Sequence, residues 1–145
     1  MSALARFVEA QRDVYDAALA ELRAGRKRSH WMWFVFPQIA GLGHSPTARF
    51  YAIRDLDEGR AYLAHPLLGA RLERCVAAML DWFGRRSAEA ILGGIDAVKL
   101  RSSLTLFEAA GGGAAFAACL DAFYDGDRDP ATSALLGTPP GTLPG

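Results

Sequence analysis

Apolar side chains recur every three or four residues along most of this chain, which is the period of an amphipathic α-helix. The first such segment covers about residues 4–24 and meets Gly25, a usual helix terminator. The broadest apolar stripe covers residues 66–83. No stretch of useful length alternates with the strand period, so the pattern predicts an all-α fold of about seven helices. Shorter helices are expected at about residues 45–53, 55–64, 87–92, 96–110, 116–123 and 129–136.

The same pattern divides the chain into one helical domain and a tail. Residues 1–136 contain every helical segment and no internal repeat, so they are expected to form a single domain. Residues 137–145 are rich in proline and glycine and are predicted to be a flexible tail.

The segment 96–110 has apolar residues on opposite sides of its helix. Leu100, Leu104 and Phe107 share one face, whereas Leu106 points away from it, beside Lys99. This arrangement predicts a helix enclosed by its neighbours, with a partly buried stripe of hydroxyl and charged side chains that needs partners. The stripe is either a pocket wall or structural, since buried Ser and Thr often bond back to the helix carbonyls.

The residues 26–38 form the densest feature of the sequence. Three cations, Arg26, Lys27 and Arg28, lead into an aromatic block that ends at Pro37. The block is too short and too apolar for its period to separate an extended segment from one or two helical turns. Cations of this kind bind phosphate, and tryptophan rings stack on bases or sugars, but both are equally typical of a solvated helix end and a packed core.

Composition narrows the functional classes. Sixteen basic residues balance sixteen acidic ones among 145, which argues against extended nucleic-acid binding. Apolar runs are too short to cross a bilayer, and charges interrupt the N-terminus where a signal peptide would be apolar, so a cytoplasmic protein without membrane contact is predicted. Cys75 and Cys119 are expected to be reduced core residues. The histidines lack metal-ligand spacing, so neither a metal nor a cofactor is expected.

Several blocks of the sequence resemble the uncharacterised bacterial family DUF1810. They are His-Trp-Met-Trp-Phe-Val-Phe-Pro-Gln at residues 30–38, Gly-Leu-Gly at 41–43, Tyr-Ala-Ile at 51–53, His-Pro-Leu-Leu-Gly at 65–69 and Ser-Ser-Leu-Thr-Leu-Phe at 102–107. The resemblance spans about residues 7–136 and implies a small all-α domain. It brings no activity, but because the family combines the aromatic block with the polar helix, it favours a pocket shared by the two.

Two functional hypotheses follow. The first is a ligand pocket for a phosphate-bearing, ring-containing metabolite, of nucleotide or ADP-ribose type, with or without hydrolysis of that ligand. The alternative is a non-catalytic binding or scaffold domain whose aromatic block is core and whose cations contact a partner. In the first hypothesis His30 and Glu108 are the candidate acid and base. The candidate ligand-binding residues are Arg26, Lys27, Arg28, Trp31, Trp33, Gln38, Ser45, Tyr51, Lys99, Ser102, Ser103 and Thr105.

Overall fold

Helices follow the predicted segments closely in the computed structural model, which describes residues 3–137. The all-α prediction is confirmed, but the described residues form ten helices rather than about seven. They are α1 (Ala5–Gln11), α2 (Tyr15–Arg23), α3 (Met32–Val35), α4 (Pro46–Phe50), α5 (Leu56–Ala64), α6 (Leu68–Leu80), α7 (Ala88–Leu92), α8 (Gly94–Ala109), α9 (Ala114–Tyr124) and α10 (Pro130–Leu135).

The additional helices arise at two places where the apolar period of the sequence does not reveal the local structure. The segment predicted as one helix over residues 4–24 is two, because Arg12 and Val14 donate backbone hydrogen bonds three residues back and tighten the chain there. The two pieces then pack on different partners, α1 on α3 and α2 on α6. The aromatic block contains the single helical turn α3, which resolves the choice that the sequence left open.

Helix starts were predicted well because they depend on local chemistry. Ser45, Asp55 and Ser87 each accept a hydrogen bond from the backbone N–H three residues later, as N-cap residues do. Asp129 caps α10 in the same way, with Pro130 in the first helical position. The start of α8 differs from the prediction, since the helix begins at Gly94 and places Asp96 inside its first turn.

The enclosure of α8 agrees with its wheel pattern. This helix packs against α5, α7, α9 and α10. Leu100, Leu104, Leu106 and Phe107 are all buried, although they point in different directions around the helix. Side chains from α1–α3 and α5–α9 join the same core. The polar residues between the leucines are therefore buried as well, and their partners define what α8 can do.

A few further predictions concern single features. Cys75 and Cys119 are buried free thiols, and burial raises the pKa of each to about 12. Within residues 3–137 no helix is long and apolar enough to cross a membrane. The predicted tail, apart from Gly137, lies outside the described residues.

Candidate functional site

Both lysines of the chain meet at one carboxylate. The sequence has two lysines against fourteen arginines. Lys27 Nζ lies 3.0 Å from Asp96 Oδ2, and Lys99 Nζ lies 3.2 Å from Asp96 Oδ1. The three side chains are only 10–19% exposed. We call this group the lysine pair: two ammonium groups bridged by one carboxylate, with a net charge of +1 in a partly desolvated place.

Each ammonium group of the lysine pair also lies over a tryptophan ring. Lys99 Nζ is 3.7 Å from the ring centroid of Trp33, and Lys27 Nζ is 5.1 Å from that of Trp31. Such cation–π contacts hold the cations by attraction to the negative ring faces. Trp31 is fully buried and belongs to the core, whereas Trp33 is partly exposed. Of these two rings, Trp33 is therefore the one that a ligand can reach.

The loop that carries Lys27 is held by Glu21 of α2. One carboxylate oxygen of Glu21 accepts from the backbone N–H groups of Arg28 and Ser29 and from the indole of Trp31, at 2.7–3.0 Å. The other accepts from the Ser29 hydroxyl at 2.6 Å. Burial alone raises the pKa of Glu21, but these hydrogen bonds outweigh it and lower the pKa to about 2. The Lys27 backbone N–H donates to the carbonyl of Ile91 in α7, which fixes the loop against α7, next to the start of α8.

Trp33 also borders a small hollow that neither lysine lines. The hollow has a volume of about 10 Å³, roughly the room for one water molecule. Gln38 and Tyr51 line it, so two more candidate residues lie beside Trp33. Ser45 does not line it, and its hydroxyl is used to cap α4. The hollow is too small for an aromatic ligand.

Two hydroxyl groups in the polar stripe of α8 form hydrogen bonds with Asp129, just before α10. Ser102 donates to the Asp129 carboxylate at 2.9 Å, and Thr105 accepts from the Asp129 backbone N–H at 2.9 Å. Both hydroxyls also bond back to the carbonyl four residues earlier. Ser103 is buried, and its hydroxyl has no hydrogen-bond partner among residues 3–137. These contacts fit the structural alternative for the stripe, in which the hydroxyl groups hydrogen-bond within the protein instead of lining a pocket.

The two candidate acid–base residues are not brought together. Glu108 forms a bidentate pair with Arg128, with N–O distances of 2.9 and 2.5 Å. It lies nine residues beyond Lys99, about 13 Å along the helix axis. His30 is exposed, as are Arg26 and Arg28. No contact within the described part of the chain joins His30 to Glu108.

Sequence reasoning missed the acidic residues that organise these contacts. The sequence predicts helices that begin at about residues 96 and 129, which gives Asp96 and Asp129 only a role at helix starts, and no pattern singles out Glu21. The rarity of lysine was a usable signal, because a chain that otherwise uses arginine has lysine at only two positions. The described residues contain no group of three or more His, Cys, Asp or Glu side chains that could hold a metal ion.

Comparison with known proteins gives a family and a solved relative. The family model described as "Protein of unknown function (DUF1810)" matches residues 1–136. The crystal structure of the conserved hypothetical protein Rv1873 from Mycobacterium tuberculosis is similar, with 51% sequence identity and a TM-score of 0.90. The match covers 93% of this chain and 96% of that one. The search of curated proteins gives no match.

Proposed function

This chain belongs to the DUF1810 family, and we propose that it binds a phosphate-bearing, ring-containing small molecule at the lysine pair. The observation that carries the proposal is the convergence of the chain's two lysines on one carboxylate, beside a partly exposed tryptophan. Nucleotides and ADP-ribose derivatives have the required combination of a negative group and a ring.

The surplus of positive charge supports an anionic ligand. Two ammonium groups present six N–H donors, whereas one carboxylate accepts about four hydrogen bonds. Asp96 therefore cannot satisfy Lys27 and Lys99 completely. A phosphate oxygen entering between the two cations supplies the missing acceptors and balances the remaining charge. The partial burial of the site strengthens this attraction relative to that of a fully solvated lysine.

The ring of the ligand is assigned to the face of Trp33 now covered by Lys99. When a phosphate draws the Lys99 ammonium group off the ring, that face becomes free for stacking. The small hollow beside Trp33 takes no part in this arrangement. Binding thus exchanges one cation–π contact for a charge-assisted hydrogen bond and a stacked pair of rings.

The proposal is for binding, without a catalytic step. Glu108 is committed to Arg128 and lies about two and a half helical turns from Lys99. Using it as a base would require breaking a bidentate ion pair. The arrangement of His30 and Glu108 thus offers no support for a shared acid–base role.

A scaffold role is the second candidate, because two apolar side chains next to the lysine pair face solvent. Ile95 is 77% exposed and Val98 is 65% exposed, both on α8 beside Lys99. A protein partner that covered them would also reach the Lys99 ammonium group. This alternative predicts that free nucleotides have no effect on the protein.

Thermal unfolding of the protein with AMP, ADP-ribose, ribose 5-phosphate or inorganic phosphate separates the two candidates. A ligand at about 100 times its Kd stabilises the native state by roughly 2.7 kcal/mol, which raises Tm by about 5–10 °C. We expect Lys27→Gln and Lys99→Gln to remove this shift. Arg12→Gln, which changes an exposed cation paired with Glu9, is the matched control and should keep it. No shift with any of the four compounds would contradict the proposal.

The displacement of Lys99 can be followed directly. Reductive methylation with ¹³C-formaldehyde labels Lys27, Lys99 and the terminal amine, and leaves the lysine charges intact. The Lys99 methyl signals should be shifted upfield by the Trp33 ring and return towards the usual position when the ligand binds. A ligand that raises Tm without moving these signals binds elsewhere.

A further inference from the structure

We infer that a second hollow, between the turn 81–87 and α9, binds a small organic anion, independently of the lysine pair. The hollow has a volume of about 330 Å³, which lies within the range of small-molecule sites. It is lined by Phe83, Gly84, Arg85, Arg86, Ser87, Ala88, Ala122 and Phe123. Two of these eight residues are cationic and none is acidic.

The turn that carries Arg85 and Arg86 is anchored to the rest of the fold, while both of these residues are exposed. The indole of Trp82 donates to the carbonyl of Leu22 at 2.9 Å, which anchors the turn to α2. The guanidinium of Arg85 lies 4.4 Å from the centroid of that ring and donates to the carbonyl of Asp81 at 2.6 Å. Gly84 has φ +81°, a conformation that glycine adopts without strain, and this lets the chain reverse beneath the arginines. Arg85 is therefore preoriented by its stacking on Trp82.

Donors remain available on both guanidinium groups. Arg86 donates to the carbonyl of Ala90 at 3.0 Å, and Arg85 uses one nitrogen for Asp81. A guanidinium has five N–H donors, and the pairs on one edge match a carboxylate, phosphate or sulfonate. Arg85 and Arg86 both line the hollow and none of its lining residues is acidic, so the hollow offers charge complementarity for an anion.

The remaining walls determine what the anion is attached to. Phe83 is 63% exposed at the rim, and Ala122 and Phe123 of α9 line the hollow as well. Exposed aromatic surface of this kind gains free energy when a ligand covers it. The ligand class is therefore an anion that carries an aromatic or hydrocarbon body. Inorganic phosphate alone would use only the arginines.

Phenyl phosphate is a suitable probe, followed by ¹H–¹⁵N spectra of the full chain. We expect saturable shifts of the amide signals of residues 83–88 and 122–123, with weaker binding of inorganic phosphate and of benzyl alcohol. The double variant Arg85→Gln/Arg86→Gln should weaken phenyl phosphate binding at least about tenfold, since two charge-assisted contacts are lost. Arg49→Gln, an exposed cation on α4 outside the hollow, should leave it unchanged.

A second variant protects the test against a folding defect in the arginine variant. Ala122→Leu adds side-chain volume to the hollow from α9 and leaves both arginines unchanged in the sequence, so it should also abolish the shifts at residues 83–88. Equal affinity in either variant and in wild type would overturn the inference. If phenyl phosphate shifts only the signals around Trp33 and Lys99, this inference fails and the lysine pair is supported instead.

Discussion

Glu21→Gln is expected to destabilise the protein in a way that depends on pH. The Glu21 carboxylate accepts four hydrogen bonds from residues 28–31, and its pKa falls from the ordinary 4.5 to about 2. A carboxyl whose pKa is lower in the folded than in the unfolded state stabilises the fold once it is ionised. This stabilisation is complete above about pH 5 and is lost as the pH falls towards 2.

The size of the effect follows from the shift. A pKa of about 2 instead of 4.5 corresponds to roughly 3 kcal/mol at neutral pH, since one pKa unit is 1.36 kcal/mol. The carboxylate is partly exposed, so solvent screening reduces the net value to about 2 kcal/mol. In a domain of this size that loss lowers Tm by about 4–8 °C. Glutamine keeps one neutral oxygen that can still accept a hydrogen bond, so we expect the fall in Tm to be about 4 °C, the lower end of this range.

Urea unfolding at pH 7 and pH 3 provides the measurement. The free energy of unfolding of the variant should be about 2 kcal/mol below that of wild type at pH 7, and the difference should fall to less than about half of that value at pH 3. Glu9→Gln is the control, because Glu9 is 69% exposed in a surface pair with Arg12 and should change stability by less than about 0.5 kcal/mol. A gap that is the same at both pH values would refute the electrostatic explanation.

Two further predictions test the burial of α8 in the core and its contact with Asp129, the residue that caps α10. Leu106→Ala should lower the free energy of unfolding by about 2–5 kcal/mol, because it leaves a cavity in the core. Val98→Ala, on the exposed side of α8, should change it by less than about 0.5 kcal/mol. Urea unfolding of the two variants measures the difference. Asp129→Ala removes both the cap of α10 and the acceptor of the Ser102 hydroxyl, and should cost about 1–3 kcal/mol. Ser102→Ala should then cost little in the Asp129→Ala background, which a double-mutant cycle measures.

The sequence was most informative where the structure depends on local chemistry. Ser45, Asp55 and Ser87 cap helices because a short polar side chain can reach the N–H groups of its own first turn. The enclosure of α8 was also predictable, since Leu106 on the side opposite Leu104 requires apolar neighbours on both sides. Both arguments use spacing within about twenty residues. The break between α1 and α2 was not predicted, because both pieces keep the same apolar period.

The candidate site depended on contacts that no local pattern encodes. Lys27 and Asp96 are far apart in sequence, and each is also typical of a helix end, where cations and anions complement the helix dipole. Trp31 and Trp33 are two residues apart in one uniformly apolar block, yet one is fully buried and the other partly exposed. Tertiary packing alone decides such differences, so the sequence identifies the block but does not separate its core residues from its partly exposed ones.

The hydrogen-bond partners of the side chains along α8 explain why we expect a ligand at the first turns of this helix and not at its serines. A buried polar group that already has partners loses them when a ligand binds, and the exchange gains little. Ser102 and Thr105 are in this position, since their hydroxyls bond to the Asp129 segment and to α8 itself. Lys27 and Lys99 instead share one carboxylate and retain unused donors. The anion of the proposed function would therefore gain most at the start of the helix, where lysine donors exceed the acceptors of Asp96.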